Sequence, residues 1–314
     1  MKLTNVVTAY VATQRSLGMR FTAADRLLRQ FVKEMKSVRI SDVRPEAVET
    51  FLQGKGTLTT TWRLKYNVLS GLYRFAISRG YCETCPLPTS VPKLPPPQTP
   101  YVYSTEEIGR LIDATPSLYN YRSRQQADMF RTLILLLYGS GLRIGEVLRL
   151  TMPDVDLINQ IIIVRDTKFF KTRQVPIGPR LSAELAAHME RRRRLPMPAG
   201  ERSRLFTSYK GQGWSYSQVI TLFQRLRLAA QIKCPEGELH PPRLHDLRHT
   251  AAVHRVISWY RDGKDVQCLL PQLATYLGHV DIKSTQRYLR MTPELLEEAS
   301  RRFAQYAQCG DDHE

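Results

Sequence analysis

The sequence predicts a mainly α-helical protein with a small antiparallel β-sheet in its C-terminal two-thirds, and three observations predict it. Apolar residues recur at helical spacing through most of the chain. Residues 86–100 read PLPTSVPKLPPPQTP, with seven prolines in fifteen positions, which excludes a helix or a central strand and suits an extended linker. Two short β-branched runs, Ile161 to Val164 and Gln174 to Ile177, flank a basic turn as a hairpin would. The expected organisation is a helical domain over 1–85, the linker over 86–100, an α+β domain over 101–292 and a tail helix over 293–314.

Each element has its own signal. Val6, Val7, Tyr10 and Val11 open a first helix, and Leu27, Leu28, Phe31, Val32 and Met35 mark a second. The segments Val48 to Leu52 and Thr60 to Arg79 follow. In the latter, Trp62, Tyr66, Leu69, Leu72, Tyr73 and Ala76 form an apolar stripe, while Arg63, Lys65, Arg74 and Arg79 supply charge. Those basic residues suit either a solvated face or contacts to a DNA backbone, and the charge of the region favours DNA. Ser104 and Glu107 have the form of a capping box that starts a helix. Phe130 to Tyr138 is apolar nearly all round and predicts a buried central helix, broken at Gly139-Ser-Gly141. Helical spacing resumes over Arg143 to Leu150. Further helices are expected over Leu181 to Arg194, Ser217 to Ala230, Leu244 to Tyr260, Pro271 to Leu277, Ser284 to Leu289 and Pro293 to Ala307.

Composition narrows the partner. The 314 residues carry a formal net charge of +17. Residues 1–98 hold 15 Lys and Arg against 6 Asp and Glu, a net of +9, so the first third is the more basic per residue. An excess of this size favours nucleic acid over an acidic membrane surface or a merely solubilising charge, because cations that neutralise phosphates release counterions. The Arg191 to Arg194 run suits a DNA contact or a solvated helix end equally. Cys82 and Cys85 make half of a zinc site with no second pair to complete it, so reduced thiols are expected. No apolar run approaches the length that spans a bilayer, and the expected location is the cytoplasm, on the nucleoid if the source is bacterial.

Five islands carry possible chemistry. Arg143 follows a glycine break at a helix start, and Glu146 three residues on can hold its guanidinium. The turn Asp166 to Arg173 presents Lys168, Lys171 and Arg173, which a hairpin could carry into a DNA groove. His245, Arg248 and His249 fall on one side of one helical turn, an unusual set for a core because unpaired buried charge is costly. Leu277-Gly-His279 is the fourth, and Tyr288 the fifth. The collection holds no Ser-His-Asp set, no P-loop and no acidic metal cluster. It suits attack on a phosphodiester by an oxygen nucleophile with guanidiniums, rather than a divalent ion, offsetting the phosphate charge, so no cofactor is expected.

The ordered motifs GLRIGEVLRL, a Lys on a hairpin, HDLRH, YLGHVDIKSTQRYL and a Tyr nine residues after His279 resemble those of the tyrosine recombinase, or phage integrase, family. The resemblance covers residues 101–307 in motif order, and 1–98 in kind, as a helical core-type DNA-binding domain. It implies that Arg143 and Arg248 clamp the scissile phosphate, that Lys168 is general acid to the 5′ oxygen, that His245 assists proton transfer, and that His279 bonds a phosphate oxygen. Tyr288 would attack to leave a 3′-phosphotyrosine, with Glu146 and His249 in support. It also implies double-stranded recombination sites as partners, a homotetramer on DNA with the tail helix docked in trans, accessory or partner recombinases, and a place on a mobile element. Two alternatives share parts of the pattern: a type IB topoisomerase that relaxes supercoils, and a catalytically silent DNA-binding protein.

Overall fold

The computed structural model describes residues 1–36, 38–95, 99–165, 172–234, 236, 240–278, 297–298 and 300–301. It divides into two compact units, Met1–Thr99 and Pro100–Glu314. The fold class is the expected one: mostly helical, with one three-stranded antiparallel sheet among the described residues.

Among its described residues the first unit has four α-helices, α1 (Leu3–Ser16), α2 (Thr22–Met35), α3 (Pro45–Gln53) and α4 (Thr60–Ser78). Their stripes meet in one core that includes Val6, Phe31, Phe51, Leu69 and Tyr73. Phe31 and Phe51 pack edge to face with centroids 4.9 Å apart. Asp25, itself buried, ties α1 to α2 by accepting from Arg15 at 2.7 Å and Arg29 at 2.8 Å. Opposite the stripe of α4, Arg63 and Arg74 are exposed. Lys65 instead turns back on its own unit, donating to the Phe51 carbonyl at 2.5 Å and lying over its ring.

In the second unit Ser104 and Glu107 form the expected capping box at the start of α5 (Thr105–Asp113). Next comes α6 (Gln126–Ser140), which packs against α5, α8 (Pro179–Arg193) and α10 (Asp246–Arg261); eight of its residues are buried, as its all-round apolar sequence requires. The helix expected over 143–150 is a single turn, α7 (Ile144–Val147). It stops because Leu150 and Met152 must enter the core, and Asp154 captures the Thr151 backbone N–H at 2.9 Å. The sheet follows in the order β1 (Val155–Asp156), β2 (Ile161–Val164), β3 (Arg173–Pro176), with Ile162 opposite Val175 and Val164 opposite Arg173. Two more helices are seen among the described residues of the unit, α9 (Tyr216–Ala229) and α11 (Val266–Leu277). The last begins five residues before Pro271, where Asp265 caps the Gln267 and Cys268 N–H groups.

The arginine run at the end of α8 is not a uniform surface. Arg192 is fully buried, its Nε donating to the Arg204 carbonyl at 2.9 Å and its Nη1 to the Pro196 carbonyl at 3.1 Å. It fastens the loop after α8 rather than facing a partner. Of the tail, Glu298 is buried and accepts from Arg261 of α10 at 2.8 Å; Leu295, Leu296, Ala299 and Phe303 lie outside the described residues. Among the described residues no helix is long and apolar enough to cross a membrane.

Phe130 on α6 is wholly buried and packs near Trp214. Phe130→Ala is expected to lower stability by about 3–5 kcal/mol, read as a lower denaturant midpoint with unchanged slope.

Candidate active site

Three chain segments distant in sequence meet where α6 and α11 end. Both helices terminate in a left-handed glycine, Gly141 at φ +61° and Gly278 at φ +69°. At Gly141 a Cβ would stand 2.7 Å from Leu277 Cδ2, so the two ends touch, and any other residue would be strained at this φ and would have to displace the Leu277 side chain.

The carbonyls left over at these ends are taken by arginines. Arg248 lies at the start of α10 and is 2 % exposed; its Nη1 donates to the Gly141 carbonyl at 2.5 Å and its Nη2 to the Leu277 carbonyl at 2.7 Å. Arg143 is half-exposed, and its Nη2 donates to the Gly278 carbonyl at 3.3 Å. Cations at helix C-termini meet the negative end of the backbone dipoles, so the site holds its positive groups where the fold favours them.

The start of α10 is itself anchored. Asp246 is buried and accepts from the Arg243 backbone N–H at 2.8 Å and its guanidinium at 2.9 Å. Thr250 accepts the Tyr103 N–H at 3.0 Å, and the Tyr103 hydroxyl donates to the Arg243 carbonyl at 3.0 Å. This fixes the turn that presents His245 and Arg248. His249 is buried behind them and His245 lies at the open edge. Packing around the His245 ring, then the Arg248 charge, lower its pKa below the usual histidine value, and Arg243 and Arg143 add to this while Asp246 opposes. These surroundings favour the neutral ring, the form that can accept a proton.

Glu146 is the counter-charge. One oxygen accepts from Arg143 Nη1 at 3.1 Å, the other from the Arg143 backbone N–H at 3.0 Å. Arg173, at the start of β3, closes on the same carboxylate with both Nη atoms, at 3.1 and 2.8 Å. Burial alone would raise the pKa of Glu146, but the Arg173 hydrogen bonds, the Arg143 N–H and both guanidinium charges outweigh it and hold it at about 2. Arg173 was expected on the DNA side of the turn. Its side chain is only 14 % exposed and its fork is spent on Glu146, because the carboxylate and the bare Gly278 leave a slot for it; a Cβ on Gly278 would stand 2.8–2.9 Å from its Nη1 and Cζ. The carboxylate thus joins the hairpin strand to α7, and Arg143 carries the link on to the end of α11.

Arg143, Glu146, His245, Arg248 and His249 are brought together with Arg173, whose place in the basic turn of the sequence pointed to DNA; the structure sets it opposite buried Val164 on β3. Lys168, Lys171, His279 and Tyr288 lie outside the described residues. In sequence, Lys168 falls in the link between β2 and β3, and His279 directly follows Gly278. Arg143 and Arg173 share one carboxylate and Arg248 adds a third guanidinium held on the helix-end carbonyls, an excess of two positive charges before His245 is counted, which suits a phosphate.

Glu146→Gln is expected to destabilise the protein at neutral pH by roughly 3 kcal/mol. Because the folded pKa is depressed, that deficit is full above the ordinary carboxylate value near 4.5 and shrinks as pH falls toward about 2. A denaturation series across pH with both proteins measures it; a deficit independent of pH would contradict the ionic role.

Comparison with known proteins agrees with this architecture. Residues 103–294 match the sequence model of the phage integrase family. The chain is similar to y4rB of Sinorhizobium fredii, described as an integrase/recombinase, with 31% identity over 95% of this chain and 95% of that one. It is similar to tyrosine recombinase XerC of Oceanobacillus iheyensis, with 27% identity over 88% and 84%. Among solved structures, a lambda integrase dimer bound to a COC′ core site shares the fold with a TM-score of 0.66 at 17% identity, over 92% of this chain and 95% of that one. The Tn1549 transposon integrase in complex with a circular intermediate DNA does so at 0.66 and 19%, over 95% and 99%. The family match spans well over half of the sequence and includes the segments that build the arginine site, so the chain belongs to the phage integrase family of tyrosine recombinases.

Proposed function

We propose that the protein recombines two DNA sites by breaking and rejoining strands through a phosphotyrosine on Tyr288. The observation that carries this reading is the convergence of Arg143 and Arg248 on the carbonyls of Leu277 and Gly278, the residues that lead into His279. Arg143, half-exposed, meets the non-bridging oxygens of the scissile phosphate, and buried Arg248 supplies charge from beneath. The Tyr288 hydroxyl attacks phosphorus, its proton passing with the help of neutral His245, as the bond to the 5′ oxygen breaks. Lys168 protonates that oxygen, and His279 bonds the phosphate. The 5′ hydroxyl of a partner strand then attacks the phosphotyrosine and returns the phenol. One ester replaces another, so no ATP enters.

The first unit acts as a core-type DNA-binding domain, with Arg63 and Arg74 as its exposed cations on α4, and Lys171 of the basic turn is a further DNA contact. The partners are double-stranded recombination sites and further copies of the chain, in the cytoplasm; a solved lambda integrase structure is a tetramer bound to a Holliday junction, and a tetramer with the tail docked in trans is the assembly proposed here. In the isolated chain Glu298 is held by Arg261, so docking in trans opens that ion pair.

A nicked suicide substrate tests the chemistry: the wild-type protein is expected to form a covalent adduct and Tyr288→Phe none. An adduct that persists in the Phe variant removes Tyr288 as nucleophile. For the tail, deletion of residues 293–314 is expected to abolish cooperative binding to paired sites while leaving single-site binding; unchanged synapsis by gel shift would contradict docking in trans.

A further inference from the structure

Beside Glu146 lies a cleft of about 570 Å³ lined by Arg149, Arg165, Arg202 and Arg204 together with Asp154. Its two carboxylates are already engaged. Glu146 is held by Arg143 and Arg173, and Asp154 accepts from Arg165 at 2.7 Å and from the Thr151 hydroxyl at 2.7 Å. Arg149, Arg202 and Arg204 have no carboxylate partner among the described residues, and all three are exposed. Three like charges facing one concavity repel, and a surface that keeps them together gains from an anion.

The walls are fixed before any ligand arrives. Thr151 and Arg204 pair as an antiparallel bridge, the Leu205 N–H donates to the Leu150 carbonyl at 2.9 Å, and the Met152 N–H donates to the Ser203 carbonyl at 3.2 Å. The Arg204 guanidinium also donates to the Arg149 carbonyl. The Arg149 N–H in turn donates to the Glu146 carbonyl at 3.0 Å, so the cleft and Arg143 are joined through the short α7 segment. Arginines on bonded backbone, open on one side, match the repeated anionic oxygens of a polynucleotide better than a lone ion, because several guanidiniums engage at once.

We propose that this cleft is a second phosphate site that grips the sugar-phosphate backbone of the DNA next to the cleaved position, holding the strand in register against Arg143. The proposal rests on the recombinase reading for its substrate. Its residues position the strand and take no part in bond making.

The test uses the full chain and a duplex of mixed sequence, with affinity measured across a salt series. The Arg149→Ala/Arg202→Ala double variant is expected to bind roughly tenfold more weakly or worse, with a log affinity against log salt slope shallower by about two. Arg149→Lys/Arg202→Lys keeps most of the slope, and thermal unfolding of both variants matches wild type because the substituted side chains are exposed. An unchanged slope in the alanine variant overturns the site. So does a wild-type slope that low-millimolar inorganic phosphate, at matched ionic strength, reduces as far as the double substitution does, because the cleft then takes a free anion. The Tyr288→Phe adduct assay judges the chemistry alone and the slope judges the cleft alone, so failure of one reading is separable from failure of the other.

Discussion

The active-site architecture depends on Arg248 holding two helix ends together. Its guanidinium reaches the Gly141 carbonyl at the end of α6 and the Leu277 carbonyl at the end of α11. Each helix leaves backbone carbonyls without intrahelical partners there, and water is excluded from a side chain only 2 % exposed. Charged hydrogen bonds of this kind contribute about 1.5–3 kcal/mol each. The close approach of the two ends requires glycine at 141, and the slot beside Arg173 requires it at 278. Once the ends are joined, Arg143 has the Gly278 carbonyl within reach, and its other contacts follow.

Concentrating arginines in one crevice would destabilise the fold if nothing opposed them. Glu146 does so at short range for Arg143 and Arg173, and its depressed pKa reflects how strongly it is held. The balance is incomplete: Glu146 serves Arg143 and Arg173, Arg248 adds a third guanidinium held on carbonyls, and the positive excess is one that a phosphodiester can fill. The same imbalance recurs a few residues away, where Asp154 serves Arg165 and leaves Arg149, Arg202 and Arg204 open. Buried arginines such as Arg192 and Arg248 bond backbone carbonyls, whereas half-exposed and exposed ones such as Arg143, Arg149 and Arg202 remain open to solvent.

Much of this was legible in the chain because it is local. The capping box at Ser104 and Glu107, the all-round apolar run of α6, the β-branched strands and the Arg143–Glu146 spacing each depend on neighbours within a few residues. The errors have a shared cause. Arg143 to Leu150 has helical spacing, yet α7 stops after one turn because the core and Asp154 claim the residues that follow. Pro271 suggested a helix start, and a side-chain cap at Asp265 set it earlier. Lys65, Arg173 and Arg192 all read as surface charge, and each turns inward to a partner far along the chain.

The sequence by itself determined the fold class, the order of the motifs and their family, since periodicity and short-range pairing are written in neighbouring residues. Tertiary structure alone decided which arginines turn inward to the protein and which stay open to solvent. That choice depends on which carbonyl or carboxylate lies within about 3 Å of a long, flexible side chain, a distance set by helices that meet only when the chain has folded.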